Sequence, residues 1–234
     1  MASFNVSETT VRLLKNFSTI SSQLMLVEGK TQKTALSTKG VFAVAEFPEA
    51  WPMVTPIFEL NKLIGTLSIY KNPELAFENN QVVIGQGNSR IKYRYADASI
   101  ITDVSDKNIP VNDPAVSFKL AADELVRLNK TCALLFGGTG LVTITVKVKD
   151  GQKAVVISAA DAKNPASDGY EIDVADADIV ANVDLFEKTI TFKTEHINLL
   201  MDGDYVVSLA NWKYAHFAHK SMPISYCVVA QSVE

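Results

Sequence analysis

Few residue types in this chain could carry chemistry, and their spacing argues against catalysis. Gly137-Gly138-Thr139-Gly140 has the glycine density of a phosphate loop. It lacks the Gly-Lys-Ser/Thr ending and follows a helical pattern instead of opening one, so it reads as a helix stop. His216 and His219 stand three apart beside Lys220. That spacing would hold a metal on a helix if a third ligand were present; none is evident, and a polar turn is expected. Asp173, Asp176, Asp178 and Asp184 lack calcium-loop spacing and read as a solvated acidic face. Cys132 and Cys227 sit in apolar stretches and read as buried free thiols. No Ser-His-Asp or Cys-His set offers a nucleophile with its base. The expectation is a protein that is not an enzyme and that needs no metal or cofactor.

What remains is basic charge at helical spacing. Residues 9–20 form an amphipathic pattern, with Leu13, Phe17, Ile20 and Leu24 on one side and Arg12, Lys15 and Thr19 on the other. Ser7 is the expected N-cap, and Glu8 puts a negative charge in the first turn. Residues 121–130 make a second basic-faced helix containing Arg127 and Lys130. The net charge of the chain is −4, from 22 Lys and Arg against 26 Asp and Glu. A broad basic surface of the usual DNA-binding kind is therefore excluded. A nucleic-acid role requires the positive charge to be segregated, and these two helix faces are where it could be.

The elements around the helices repeat. After the first helix come an extended run over 23–27, a Glu28-Gly29 turn and a second extended run, which reads as a hairpin. After the second come an alternating strand over 141–149, an Asp150-Gly151 turn and a return strand over 153–158. The tripeptide Val-Arg-Leu recurs at Val11 and Val126. Helix, strand, acid-Gly turn and strand thus occur once in each half, as an internal duplication would produce.

Between these units the pattern is more broken. Residues 40–47 read as a strand, after which Pro48, Pro52 and Pro56 interrupt a loop carrying Trp51. Residues 58–64 read as a short helix ending near Gly65, with strands over 67–70 and 81–84. In the strand over 89–97, Arg90, Lys92 and Arg94 share one face. That face is either solvated, or blunts an exposed edge, or meets a complementary partner. Residues 103–117 lack period and hold Pro110 and Pro114, so they form the expected connector between domains 1–102 and 118–234. In the second half, strands are expected over 170–174, 190–193, 205–209 and 226–230, and a helix over 194–201 with Thr194 as N-cap. The whole reads as α+β with two similar halves. With 47% hydrophobic residues, no bilayer-length apolar run and no signal-type N-terminus, an intracellular protein with no membrane partner is expected.

The segments Leu13-Leu14-Lys15-Asn16-Phe17-Ser18-Thr19-Ile20 with Met25-Leu26, and Phe58-Glu59-Leu60-Asn61 with Leu63-Ile64-Gly65, resemble the sliding clamps of T4-type bacteriophages. Ala122-Asp123-Glu124-Leu125, Ile144-Thr145-Val146-Lys147, Gly203-Asp204-Tyr205 and Tyr226-Cys227-Val228-Val229-Ala230 resemble the same family in the same order. The resemblance implies a DNA-clamp fold in which two similar domains, each with two helices on antiparallel sheets, build a homotrimeric, pseudo-sixfold ring. It implies a processivity factor that encircles duplex DNA without sequence specificity and tethers the replicative polymerase. The other implied partners are an ATP-driven clamp loader and the late-transcription machinery, in the cytoplasm of an infected bacterium.

Helix-face reasoning under that resemblance nominates Arg12, Lys15, Lys62, Lys119, Arg127 and Lys130 for DNA contact; Lys15 and Lys130 fall where the family carries basic residues. The fourth helix carries His196, which adds little charge at neutral pH. The implied subunit interface pairs an edge strand holding Lys92, Tyr93, Arg94 and Tyr95 with one holding Tyr170, Glu171, Ile172 and Asp173. The implied pocket for partner tails draws on Ile109, Val111, Pro223 and Ile224. The competing reading is a β-rich viral structural protein with no DNA role.

Overall fold

A helix forms where the apolar spacing puts it, and its buried face then decides what packs around it. α1 (Glu8–Ile20) buries Thr10, Leu13, Leu14, Phe17 and Ile20. Ser7 caps it, its hydroxyl accepting the Thr10 N–H at 3.2 Å. The computed structural model describes residues 2–109, 113–137, 139–149, 152–164, 168–174, 177–179, 188–210 and 212–231. Around α1, the first half contains β1 (Ser3–Asn5), β2 (Leu24–Leu26), β3 (Gly29–Ala35), β4 (Val41–Trp51), β5 (Thr55–Ile57), α2 (Leu60–Leu67), β6 (Glu74–Glu78), β7 (Gln81–Gln86) and β8 (Ser89–Arg94). The second half contains β9 (Val116–Leu120), α3 (Ala122–Phe136), β10 (Gly140–Lys149), β11 (Gln152–Asp161), β12 (Gly169–Val174), β13 (Asp178–Ile179), β14 (Thr189–Lys193), α4 (Thr194–Ile197), β15 (Tyr205–Leu209), β16 (Tyr214–His219) and β17 (Ile224–Val229).

The chain divides into two compact units. One comprises residues 1–38, 42–108 and 222–224; the other comprises 39–41, 109–221 and 225–234. In the first, one sheet runs β1-β6-β7-β8, while β2 pairs with β5 and β3 with β4, all antiparallel. In the second, one sheet runs β12-β11-β10-β14 and another β13-β9-β15-β16-β17. The halves share a plan: β1-β6-β7-β8 matches β9-β15-β16-β17, in that the opening strand of each half borders a meander of its last three. The duplication legible in the sequence is thus a duplication of topology.

Each unit has an aromatic core. In the first, Phe4, Phe47 and Phe77 surround Trp51 with ring centroids at 5.2, 6.2 and 5.6 Å. Phe17 of α1 reaches Phe47 at 5.9 Å, and the indole N–H of Trp51 donates to Thr55 at 3.1 Å. Trp51 is therefore core, at the end of a strand that runs straight through Pro48, not part of a proline-broken loop. In the second unit Phe217 packs edge-on to Phe192 and Tyr205.

Other local expectations give way to tertiary pairing. Glu28-Gly29 does not close a hairpin: β2 pairs with β5, and Gly29, at φ +103°, opens β3 toward β4. The run 67–70 ends α2 and turns instead of forming a strand, because α2 continues through Gly65. α4 is a single turn, capped at Lys193 and not at Thr194. His216 and His219 lie on β16, not in a turn. At Gly137 the helix stop is as expected, with φ +56°. The Asp150-Gly151 turn, Val111, Gly138, Asp176 and Asp184 lie outside the described residues.

Two glycines respond oppositely to a methyl group. Gly65 is exposed inside α2 with nothing within 4 Å of an added Cβ, whereas at Gly203, φ +151°, a Cβ would sit 2.2 Å from His219 Nε2. Thermal or urea unfolding should show Gly65→Ala raising stability by up to about 1 kcal/mol. Gly203→Ala should lower it by about 1–3 kcal/mol. Equal effects from the two changes would contradict this packing.

Candidate nucleic-acid interface

The buried faces of α1 and α3 determine what each helix shows to solvent. α3 buries Leu125, Leu128, Cys132 and Phe136, so Asp123, Arg127, Lys130 and Leu134 are exposed along its other side. α1 exposes Glu8, Arg12, Lys15 and Thr19. In both helices an acid is followed by Arg at i+4 and Lys at i+7, which lie on one face. The two Val-Arg-Leu tripeptides are the visible part of this equivalence. Arg127 bonds Asp123 at 3.4 Å; the pair is exposed and stabilises little.

The other nominated cations differ. Lys62 is exposed on α2 but paired with Glu59 at 3.0 Å. Lys119 lies on β9, opposite Val206 of β15, so the helix-face argument does not apply to it. His196 is buried, with its ring against Gly40, where a Cβ would lie 2.1 Å away. Burial lowers its pKa, so His196 adds no positive charge to α4 at neutral pH. The positive stripe is confined to α1 and α3.

Both helices have their amino ends closed by carboxylates from far along the chain. On α1, Glu49 of β4 accepts the Ser7 N–H at 2.9 Å and also the Thr10 hydroxyl. On α3, Asp204 accepts the Ala122 N–H at 2.9 Å and Glu124 the Ala121 N–H at 3.1 Å. Sequence reasoning missed both caps because the partners lie 42 and 82 positions away.

Two strands stand at sheet edges with opposite charge. β8 exposes Arg90, Lys92 and Arg94 and buries Tyr93; β12 exposes Glu171 and Asp173, with Tyr170 and Ile172 half-buried. Among the described residues no strand pairs with the outer side of either. Glu171 meets Lys147 of its own chain at 3.4 Å. Beside β8, Phe58, Glu59, Lys62, Tyr93, Arg94 and Tyr95 line a cleft of about 410 Å³. Of the tail-pocket candidates, Ile109 is half-buried and Pro223 exposed; Ile224 is buried and presents little surface.

Among the described residues the histidines and thiols are placed as follows. His216 and His219, three apart on a strand, face opposite sides and cannot share a metal. Among the described residues no group of His, Cys, Asp and Glu could hold one. Burial pushes both thiols, Cys132 and Cys227, up to about 11, which suppresses the thiolate. No helix among the described residues is long and apolar enough to cross a membrane.

Two duplicated α+β halves with matched basic helix faces define a DNA clamp, and the fold is that of known clamps. PCNA from A. fulgidus, solved with the C-terminal region of FEN-1 bound, superposes with a TM-score of 0.72 at 10% identity, covering 100% of both chains. No family model matches the sequence. The chain belongs to the sliding clamps of T4-type bacteriophages: it is 30% identical to the sliding clamp of Vibrio phage KVP40 over 207 residues, 87% of this chain and 89% of that one. It is 28% identical to the sliding clamp of Enterobacteria phage T4 over 149 residues, 63% of each. It is thus a processivity factor for DNA polymerase in phage DNA replication and not an enzyme, which removes the reading as a virion component.

The remote cap on α3 has a measurable worth. Asp204→Ala should destabilise the protein by about 1–2 kcal/mol, the usual effect of losing an N-cap. An unchanged melting curve would show that the cap is dispensable.

Proposed function

We propose that three copies of this chain close into a ring around duplex DNA, with α1 and α3 facing the hole, and that the ring tethers the replicative polymerase. The observation that carries this reading is the repeated exposed stripe, Glu8-Arg12-Lys15 on α1 and Asp123-Arg127-Lys130 on α3. With two stripes per chain, a trimer presents six. A sliding contact must attract phosphates without reading bases, and long cationic side chains do this.

It must also avoid deep wells. A free helix N-terminus is a ready anion site. Here two amides at the start of each helix are engaged, those of Ser7 and Thr10 by Glu49 and Ser7, and those of Ala121 and Ala122 by Glu124 and Asp204. Phosphate finds its attraction along the helix flank, where the contact is mobile, and not at the helix end.

Ring closure would join β8 of one copy to β12 of the next, setting Lys92 and Arg94 near Glu171 and Asp173. α3 packs beside β12 and carries Leu134 at 83% exposed, while Phe58, 49% exposed, opens the cleft beside β8. Strand pairing across copies would bring these two apolar surfaces together and cover both. With no nucleotide motif of its own, the ring needs an ATP-driven loader. Partner tails, from polymerase and from the late-transcription machinery, would dock beside the connector near Ile109. The setting is the cytoplasm of the infected bacterium.

Two experiments test the reading. Lys15→Glu combined with Lys130→Glu should flatten the salt dependence of DNA binding by roughly one log unit per log salt for each phosphate no longer neutralised. It should also shorten processive synthesis on primed circular DNA while the native mass stays at three times the 25.5 kDa subunit. Unaltered synthesis would remove these helices from the DNA interface. Separately, Arg94→Glu should lower the sedimentation mass on dilution, and adding Glu171→Arg should restore it in part, since the introduced arginine also faces Lys147. A single reversal with no effect on assembly would dismiss this pairing.

A further inference from the structure

The chain leaving the first unit is held by one side chain that no role above uses. Lys33 lies on β3, opposite Val44 of β4. Its neighbours Gln32 and Thr34 point into the core, so Lys33 projects from the other face. Its ammonium donates to the Ser105 carbonyl at 2.6 Å, to the Lys107 carbonyl at 2.6 Å and to the Asn108 side-chain oxygen at 3.1 Å. These three bonds use all the donors an ammonium has.

The preceding residues are held differently. Ile101 and Val104 are buried pegs, and Gln23 accepts the Thr102 N–H at 3.2 Å. After Val104 the pegs stop: Asp106, Lys107 and Asn108 are exposed. Lys107 returns only a local bond to Val104. Among the described residues, every hydrogen bond to 105–108 from outside the connector comes from Lys33. An exposed turn with no buried side chain has little of its own to hold one path against chain entropy. The three-point, charge-assisted contact supplies the constraint.

We propose that Lys33 is the positioning residue of the connector: its ammonium holds residues 105–108 in place and thereby presents the connector to partner tails. The second clause rests on the proposed docking of tails beside the connector; the first does not. A tetrahedral ammonium reaches three oxygens on three sides, whereas the planar fork of arginine does not match that cage. Position 33 therefore requires lysine specifically, not merely a positive charge.

The test uses the full chain and separates the two clauses. Hydrogen exchange by mass spectrometry is measured on the wild type, Lys33→Met, Asn108→Ala and the control Lys71→Met, whose parent side chain is exposed and outside this cage. Lys33→Met keeps the aliphatic stem and removes the donors. Exchange over residues 103–109 should rise by about tenfold or more in Lys33→Met and by less in Asn108→Ala. It should stay unchanged in Lys71→Met, with the β3 and β4 amides unaffected throughout. Unchanged exchange over 103–109, or faster exchange throughout β3 and β4, overturns the anchor.

The same proteins are titrated with a synthetic peptide of the C-terminal tail of the replicative polymerase from the same genome. Roughly tenfold weaker binding to Lys33→Met supports the positioning role. Faster exchange with undiminished affinity overturns that role and leaves the anchor standing. A wild-type chain that does not bind the peptide overturns the docking reading itself, while the exchange data still decide the anchor.

Discussion

The structure depends on the burial of one face of each long helix. Leu13 and Phe17 on α1, like Leu128 and Cys132 on α3, are almost fully withdrawn from water. Each buried Leu or Phe contributes on the order of 1.5–3 kcal/mol, more than the exposed ion pairs described above. Once those residues are inside, the opposite face has no freedom. Arg12 and Lys15, and Arg127 and Lys130, point to solvent because the helical period leaves them nowhere else. The exposed charge is thus set by packing, and the caps from Glu49 and Asp204 tie the start of each helix to residues far away in the sequence.

Charge is also sorted by element in a chain that is negative overall. Seven of the 22 cations lie on two helix faces and one strand, β8, while β12 presents acids. Cations elsewhere serve other ends, as Lys147 does in meeting Glu171 and Lys33 in meeting backbone oxygens. This arrangement reconciles a pI of about 5.5 with a DNA-handling role.

The sequence was most legible where periodicity and burial agree. α1, its Ser7 cap, the stop at Gly137, the long strands β10 and β11, and the alternating faces of β8 and β12 could all be read from spacing, and the repeated Val-Arg-Leu marked the equivalent helices. It was least legible where long-range pairing decides. Glu28-Gly29 has hairpin chemistry, but β2 finds its partner at β5, about 30 residues away. Pro48 sits within a strand because the pull of the aromatic cluster on Trp51 outweighs a proline that lacks one donor. Ile69 and Tyr70 have strand propensity, yet the helix before them runs on through Gly65. Helix-face reasoning nominates Lys119, which belongs to a strand. The three-oxygen cage of Lys33 left no local signal at all, since its acceptors lie 72 to 75 positions on.

The charges on the two edge strands also limit how copies of the chain can meet. An isologous dimer made by joining two β8 edges would set Arg90, Lys92 and Arg94 against their own images, and joining two β12 edges would do the same for Glu171 and Asp173. Like charges facing across a strand pair are destabilising. Only the mixed pairing escapes the penalty, and that pairing has a direction. A pair joined this way always retains one unused basic edge and one unused acidic edge, so growth by these edges is polar and ends only when the last acidic edge reaches the first basic one.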